Sequence, residues 1–425
     1  MPVRAGAVPD TGHQRAATSS SSKTGEDLGD HLGAVDVLVA GSLAVDLLCD
    51  YAPRAGDKTM NVTPALHTSN PAIVEQSIGG VGYNVAIAAK YAGCSVLFCS
   101  LVGDDLTGHA ALAMLRGEGL DTKSIRIMPR GRTAQYIATN DADRDLFVAM
   151  ADMSIMELPE EALDFEGTWE PMICQSKPRW IVVDGNWSLG VLRKWLDLGK
   201  EYACKVAFEP VSTAKSRGLI AAIGPSDSVL SNNNMVSLAA PNKLELAAMH
   251  EAARDKGLFE SAEWWEIINS MDISSSISRD RLVAVTSLGL VDEGAPQQSI
   301  QLLPFIPCII TKLGAQGVLF TQLLGAGDVR LSSAEHAPYI LSRGKGLVGG
   351  LYMRVFPPAQ VIKHNDIVSV NGAGDTLLGV VVAGLALDRT KSIEQLMAIA
   401  QEASLESLKS AGGVSSNIAR LRELL

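Results

Sequence analysis

The stretch Ser369-Val-Asn-Gly-Ala-Gly-Asp-Thr-Leu-Leu-Gly constrains this chain more than any other. A glycine turn, Asn371 to Gly374, leads into an apolar run, Thr376 to Leu387, with no charge before Asp388. That pattern predicts a buried helix whose first turn sits against a glycine loop. Free N–H groups and the positive end of the helix dipole then make a site for an anion such as a transferring phosphoryl group. Asp375 falls in the first turn. A carboxylate there is expected to be ionised at rest and able to accept a proton. A hydroxyl beside Asp375, facing a phosphoanhydride held over Gly372, Ala373 and Gly374, would be set for phosphoryl transfer. The alternative is a helix with a glycine entry turn and an acid that complements its dipole.

At 425 residues the chain has room for one large domain or two ordinary ones. Its net charge of −11 argues against nucleic-acid binding, which needs a basic face. The six cysteines include no Cys-x-x-Cys pair, so they read as small core residues in a reducing compartment. No apolar run is long enough to span a membrane.

Residues 1–33 are Ser/Thr/Gly-rich and aperiodic, and read as a disordered tail. Arg4, Arg15 and Lys23 make a mitochondrial targeting segment the alternative to a cytoplasmic protein, although Glu26, Asp27 and Asp30 weaken it. Order is expected from Asp36-Val-Leu-Val-Ala-Gly41, a first buried strand. Asp46 follows just past its end, where open α/β sheets bind ligands, and could accept from two sugar hydroxyls. An Asp in a loop is the plainer reading. Residues 54–77 are polar and turn-rich and should leave the main body. Ile78-Gly-Gly-Val-Gly-Tyr-Asn84 then opens a helix closed at Gly93. Gly79 and Gly80 let a ligand approach the backbone, and Asn84 can donate to or accept from a hydroxyl. A dinucleotide fingerprint fails because Val85 stands in the third glycine's place and no strand is expected to lead straight into the turn.

Ser95 to Gly103 reads as a strand, with Asp104-Asp105 opening a helix, and Thr133 to Asp152 as a hairpin suited to a lid. Strands at Trp180–Asp184, Lys205–Pro210 and Val236–Pro241 continue the α/β alternation. Asn242-Lys-Leu-Glu245 fits a helix N-cap and N3 pair, or a carboxylate at Glu245 acting on a water of phosphate-bound Mg²⁺. Cys308 to Phe320 reads as two strands around a glycine turn, and Ile393 to Ala411 as a helix. Residues 251–304 and 331–363 are expected to be surface insertions.

These glycine-centred stretches, in this order, closely resemble the ribokinase-like (PfkB-type) sugar and nucleoside kinases. The resemblance implies a three-layer α/β/α kinase domain over 34–425, with a small β lid from about 46–78 and 133–152. It implies Asp375 as catalytic base and Gly372 to Gly374 as anion hole. Asp46, Gly79, Gly80 and Asn84 would hold the substrate. Lys312, Gly314 and Gly317 would form the nucleotide-side loop, with Gln401, Gly412 and Gly413 at the adenine edge. Asn242 and Glu245 would act through Mg²⁺, with ATP as phosphoryl donor. Ser369 stands where many members carry an acid, so K⁺ dependence stays open.

Within the family the chain is most similar to pseudouridine kinases. The similarity rests on Ser69-Asn-Pro71, on the hairpin Thr-Ala-Gln-Tyr…Leu-Phe-Val-Ala-Met-Ala-Asp-Met153, and on Glu209-Pro-Val-Ser-Thr-Ala-Lys215. Some eukaryotic members are fused to a glycosidase, which is not expected here. The alternatives are a ribokinase- or adenosine-kinase-like enzyme and a non-catalytic ligand sensor. The expected partners are a small nucleoside or sugar and, through the lid hairpin, a second copy of the chain.

Overall fold

Runs of Val, Ile, Leu and Ala with no polar break form the centre of a ten-stranded mixed sheet. The strands are β1 (Val37–Ala40), β4 (Val96–Gly103), β5 (Ile125–Met128), β8 (Trp180–Asp184), β9 (Lys205–Glu209), β10 (Leu238–Ala239), β11 (Cys308–Lys312), β12 (Val318–Gly325), β13 (Ile340–Arg343) and β14 (Val348–Phe356), in the order β13-β14-β12-β11-β10-β9-β8-β1-β4-β5. Strands β11 through β5 run parallel, whereas β12 is antiparallel to β11 and β14. Parallel strands covered by helices on both faces need apolar residues at every position, and β1 and β8 are buried throughout. Among the strands, β10 is much shorter than the Val236–Pro241 segment expected. The computed structural model describes residues 33–52, 63–143, 145–229, 234–272, 278–346, 348–363, 366–387 and 391–425. The expected N-terminal tail through residue 32, part of the loop at 274–278, and Arg144 in the 140–145 turn lie outside them.

One face of the sheet is covered by the helices Val81–Tyr91, Ala373–Ala386 and Ile393–Leu408, which share a core with Val37, Val39, Phe98 and Val182. The other carries Leu189–Glu201, Thr213–Ala222, Lys243–Asp255 and Ala295–Leu302. The last of these corrects one expected boundary. Residues 251–304 are not all insertion, because Ala295, Ile300, Leu302 and Leu303 are buried and their helix packs on Lys243–Asp255. Residues 331–363 are corrected likewise: β14 is nine residues long, mostly buried, and pairs with β12 along its length.

A separate four-stranded sheet has the order β3-β2-β6-β7, from β2 (Ala44–Tyr51), β3 (Ala72–Gly79), β6 (Ala134–Asn140) and β7 (Leu146–Asp152). Asp46 therefore lies within a strand, not in a loop, and part of 54–77 is strand as well. A strand, β3, does run straight into the Gly79-Gly80 turn, contrary to expectation. It belongs to this smaller sheet, not to the parallel core that a dinucleotide fold requires. No described helix is long and apolar enough to cross a membrane.

Candidate active site

The apolar run after Gly374 does form a buried helix, Ala373–Ala386, and Gly372 is its N-cap with φ of 76°. A side chain at Gly372 would be strained, and its Cβ would lie 2.0 Å from the Gly413 carbonyl oxygen. The turn is thus pressed onto the Gly412-Gly413 segment, and its N-terminal N–H groups end up beside Asp375. From the other direction, the helix Val81–Tyr91 carries Asn84 to the same point. Asn84 Nδ2 donates to Asp375 Oδ2 at 2.8 Å across 291 residues of sequence. Among the described residues Asn84 Oδ1 is buried with no hydrogen-bond partner. It packs against Gly413, where a Cβ would lie 2.9 Å from Oδ1.

Three more carboxylates gather here from the C-terminal edge of the parallel strands, the ligand edge of α/β sheets. Asp184 ends β8 and accepts from Ser42 N, Ser42 Oγ and Asn186 N at 2.7, 2.9 and 3.0 Å. Lys215 Nζ donates to Asn186 Oδ1 at 2.5 Å. Glu209 ends β9 and holds Lys312 Nζ, from the end of β11, at 2.7 and 2.8 Å. Glu245 sits at N3 of the helix Lys243–Asp255 and accepts from Asn242 N at 2.8 Å, while Asn242 Oδ1 accepts from Leu244 N and Glu245 N. The capping pair is therefore real.

Electrostatics follow from burial. It pushes the Asp375 carboxyl above the usual range, and Lys312 and the Asn84 hydrogen bond pull against it. The helix dipole alone favours a carboxyl ionised at rest, whereas desolvation raises its affinity for a proton in the folded chain. Burial pushes the Glu209 carboxyl up, and the Lys312 ammonium held against both its oxygens pulls it back. For Lys312 burial favours the neutral amine, but Glu209, Glu245 and Asp375 together hold it as an ammonium. Asp46 is pushed up to about 6 by burial. Its carboxylate lies against Gly79, where a Cβ would meet Oδ2 at 2.1 Å. Gly79 is required so that Asp46 can stand at the start of the segment that carries Asn84.

Asn84 and Asp375 thus meet at the Gly372–Gly374 turn, Lys312 runs beside Gly374, and Asp46 packs on Gly79 at the bend that opens the helix carrying Asn84. Gly314 is exposed two residues beyond Lys312, and Gly317 is packed against the backbone of Phe356 and Pro357. Gln401 is buried within its helix. Gly413 lies against the Gly372 turn, and Gly412 beside Ser410 and Val414. Sequence reasoning gave no role to Glu209, Asp184, Ser42 or Asn186. The available signal was a strand ending in an acid, which β8 and β9 both show. A cavity of about 730 Å³ opens at the opposite edge of the sheet, by Trp180 and Lys205, and is no part of this site.

The model of the pfkB family carbohydrate kinases matches residues 44–263, just over half of the chain. The chain belongs to the pfkB family. As a pfkB member it is a phosphotransferase with an alcohol group as acceptor, acting on a carbohydrate or nucleoside. A pseudouridine-metabolizing bifunctional protein of Schizosaccharomyces pombe is 27% identical over 83% of this chain, which spans only 43% of that protein. A pseudouridine kinase of Arabidopsis thaliana is 27% identical over 81% of this chain and 86% of its own length. Ribokinase from Cryptococcus neoformans var. grubii serotype A, solved with ADP, superimposes with a TM-score of 0.56 at 18% identity, over 92% of this chain and all of that one. The pfkB fold here is therefore the ribokinase-like α/β fold.

Proposed function

We propose that the chain is an ATP-dependent kinase that phosphorylates the 5′-hydroxyl of a ribonucleoside, and that this nucleoside is pseudouridine. The observation that carries the chemistry is the 2.8 Å contact between Asn84 and Asp375 at the mouth of the glycine turn. A primary hydroxyl that donates to this region is within reach of Asp375. As its oxygen bonds to phosphorus, Asp375 takes the proton. The N–H groups of Gly372 to Gly374 stabilise the developing charge, each well-placed donor contributing about 3 kcal/mol. Asp46 accepts from the vicinal ribose hydroxyls. The smaller sheet, closing on the substrate, keeps water from competing.

Among the described residues no three His, Cys, Asp or Glu side chains gather to hold a metal on their own. Glu245 has one oxygen on the Asn242 N–H, and the other has no protein donor among the described residues. One such carboxylate fits Mg²⁺ that keeps its waters and arrives on ATP phosphates. In that arrangement Asn242 fixes Glu245 through the cap.

The choice of pseudouridine is supported by the names of the two curated relatives and by the Ser69-Asn-Pro71, hairpin and Glu209-Pro-Val-Ser segments. The test is ADP release with pseudouridine, uridine, adenosine and ribose, with and without K⁺. Pseudouridine is expected to give the highest kcat/KM. Preference for ribose or adenosine would replace it with a ribokinase- or adenosine-kinase-like activity, and no ADP release with any acceptor would leave a ligand sensor. A second copy of the chain is the proposed partner, docked on the face of the smaller sheet that bears Leu47, Val74, Ile137, Val148 and Met150. Val74, Val148 and Met150 are exposed there.

A further inference from the structure

Lys312 closes β11 and Glu209 closes β9, the strands on either side of β10. Their side chains are 16% and 3% exposed. Burying such a pair is a poor way to hold strand ends together, because desolvation of the two charges offsets much of their attraction. The position gives the lysine another use. A Cβ on Gly374 would lie 3.2 Å from Lys312 Cδ and 3.3 Å from Nζ, so the side chain runs along the first turn of the helix Ala373–Ala386. An ammonium has three protons. Glu209 engages Lys312 through both oxygens, and no other side-chain or backbone acceptor meets Nζ among the described residues. The other charges felt by Lys312 belong to the carboxylates Glu245 and Asp375, and Asp184 lies beside Glu209 in strand register. An incoming polyphosphate therefore meets an acidic floor relieved at the turn by this lysine.

We propose that Lys312 is a catalytic residue whose ammonium rests on Glu209 in the free protein and donates to the transferring phosphoryl group on the Gly372–Gly374 turn. The proposal rests on the kinase reading above. In the step, the bond from the acceptor oxygen to phosphorus forms and the bond from phosphorus to the leaving diphosphate breaks. The hydroxyl proton goes to Asp375, and Lys312 keeps its own protons throughout. An ammonium placed for the in-line geometry of the transfer lowers the barrier more than it tightens ground-state binding. Glu209 is then a positioning residue that holds the lysine ready.

The test compares Lys312→Met, Lys312→Arg, Glu209→Gln and the double variant Lys312→Met/Glu209→Gln. The last removes both charges and leaves no buried carboxylate unpaired, so it remains informative if Lys312→Met fails to fold. Turnover is measured, and a non-hydrolysable ATP analogue and ADP with aluminium fluoride are titrated by calorimetry. Lys312→Met and the double variant are expected to lose about 100- to 1000-fold in kcat and the tight aluminium-fluoride complex. Their KM for ATP and analogue affinity should stay within about threefold of wild type. Lys312→Arg should restore part of kcat, and Glu209→Gln should retain kcat within about tenfold. A kcat within about threefold of wild type in Lys312→Met or the double variant would overturn the proposal. So would a Glu209→Gln protein as damaged as Lys312→Met with both ligands weakened alike, since that pattern marks a structural pair. Loss of turnover in Asp375→Asn alongside an active Lys312→Met would remove the lysine's role and leave the kinase reading standing. Full turnover in Asp375→Asn would remove the kinase reading itself.

Discussion

The C-terminal edge of the ten-stranded sheet and the four-stranded sheet beside it both bring a carboxylate to the site, on very different supports. Asp375 stands on a helix buried on nearly every side, and its neighbours Asp184, Glu209 and Lys312 end strands covered on both faces. Asp46 stands on a sheet whose edge strands β3 and β7 are exposed at most positions. Among the described residues that sheet is buried only at Ala44, Val45, Ile78, Gly79, Ala134 and Ala138. The difference separates two tasks. Stabilising developing charge requires groups that do not reorganise, so those groups sit on packed elements. Admitting and enclosing a substrate requires an element with few buried contacts, which can open at low free-energy cost.

If the division holds, substitutions at the two supports act on different kinetic constants. Asp375→Asn should give the largest effect. It keeps the acceptor for Asn84 Nδ2 but removes the base, so kcat should fall by about 100- to 10,000-fold. Nucleoside binding, followed by calorimetry, should stay within a few-fold of wild type. Near-full turnover would refute the assigned base. Gly79→Ala comes next and touches only the recognition side. Its Cβ collides with Asp46 Oδ2, so the carboxylate must turn away. KM for the nucleoside should rise about tenfold or more while kcat changes little, because hydrogen bonds to the ribose are lost and the base is untouched. An unchanged KM would mean that Asp46 does not contact the sugar.

The same division decides what the sequence alone could tell. Continuous apolar runs made β1, β4, β8, β9 and β11 readable, because strands covered on both faces admit little else. The Asn242/Glu245 cap and the Gly372 turn were readable because their causes are local: a side-chain oxygen three residues from an N–H, and a positive φ. The strands β13 and β14 do not read as core from sequence, since one is short and the other holds Gly349, Gly350 and Arg354 among its apolar residues. The Lys312–Glu209 pair spans 103 residues, and nothing in either local sequence names the partner. The basicity of Asp375 was misjudged for a related reason. A helix dipole is visible in one segment, whereas desolvation depends on everything packed around the site.

A third prediction sharpens the contrast through pH. Burial raises the Asp46 carboxyl from its ordinary 3.8 to about 6. The folded state therefore binds the proton more tightly than the unfolded chain. This stabilisation is complete below about pH 4 and is lost as the pH climbs through about 6. Asp46→Asn should then melt at a higher temperature than wild type above pH 6 and show no such gain below pH 4, in melting curves recorded across that range. The ionised form accepts from the ribose, so wild-type KM should rise as pH falls through about 6, and Asp46→Asn should show a raised, flat KM. A wild-type KM that is flat through this range would place the titration outside substrate recognition.

The smallest effect on chemistry belongs to the outer face of the smaller sheet. Met150 is 60% exposed and lies opposite Ile137, with Val148 and Val74 on the same face. An exposed apolar sheet face of this kind favours docking with another surface. Replacing Val148 and Met150 by Glu puts like charges where two copies would meet, yet removes no buried contact. The double variant should sediment as a monomer where wild type sediments as a dimer, with melting within about 1 kcal/mol of wild type. Because Asp375, Lys312 and the glycine turn stand on other elements, kcat should change little, and any loss should fall on KM through a looser sheet. A wild-type chain that stays monomeric at every concentration would refute the partner. A large fall in kcat on monomerisation would break the division itself, since the recognition sheet would then be shaping the chemical step.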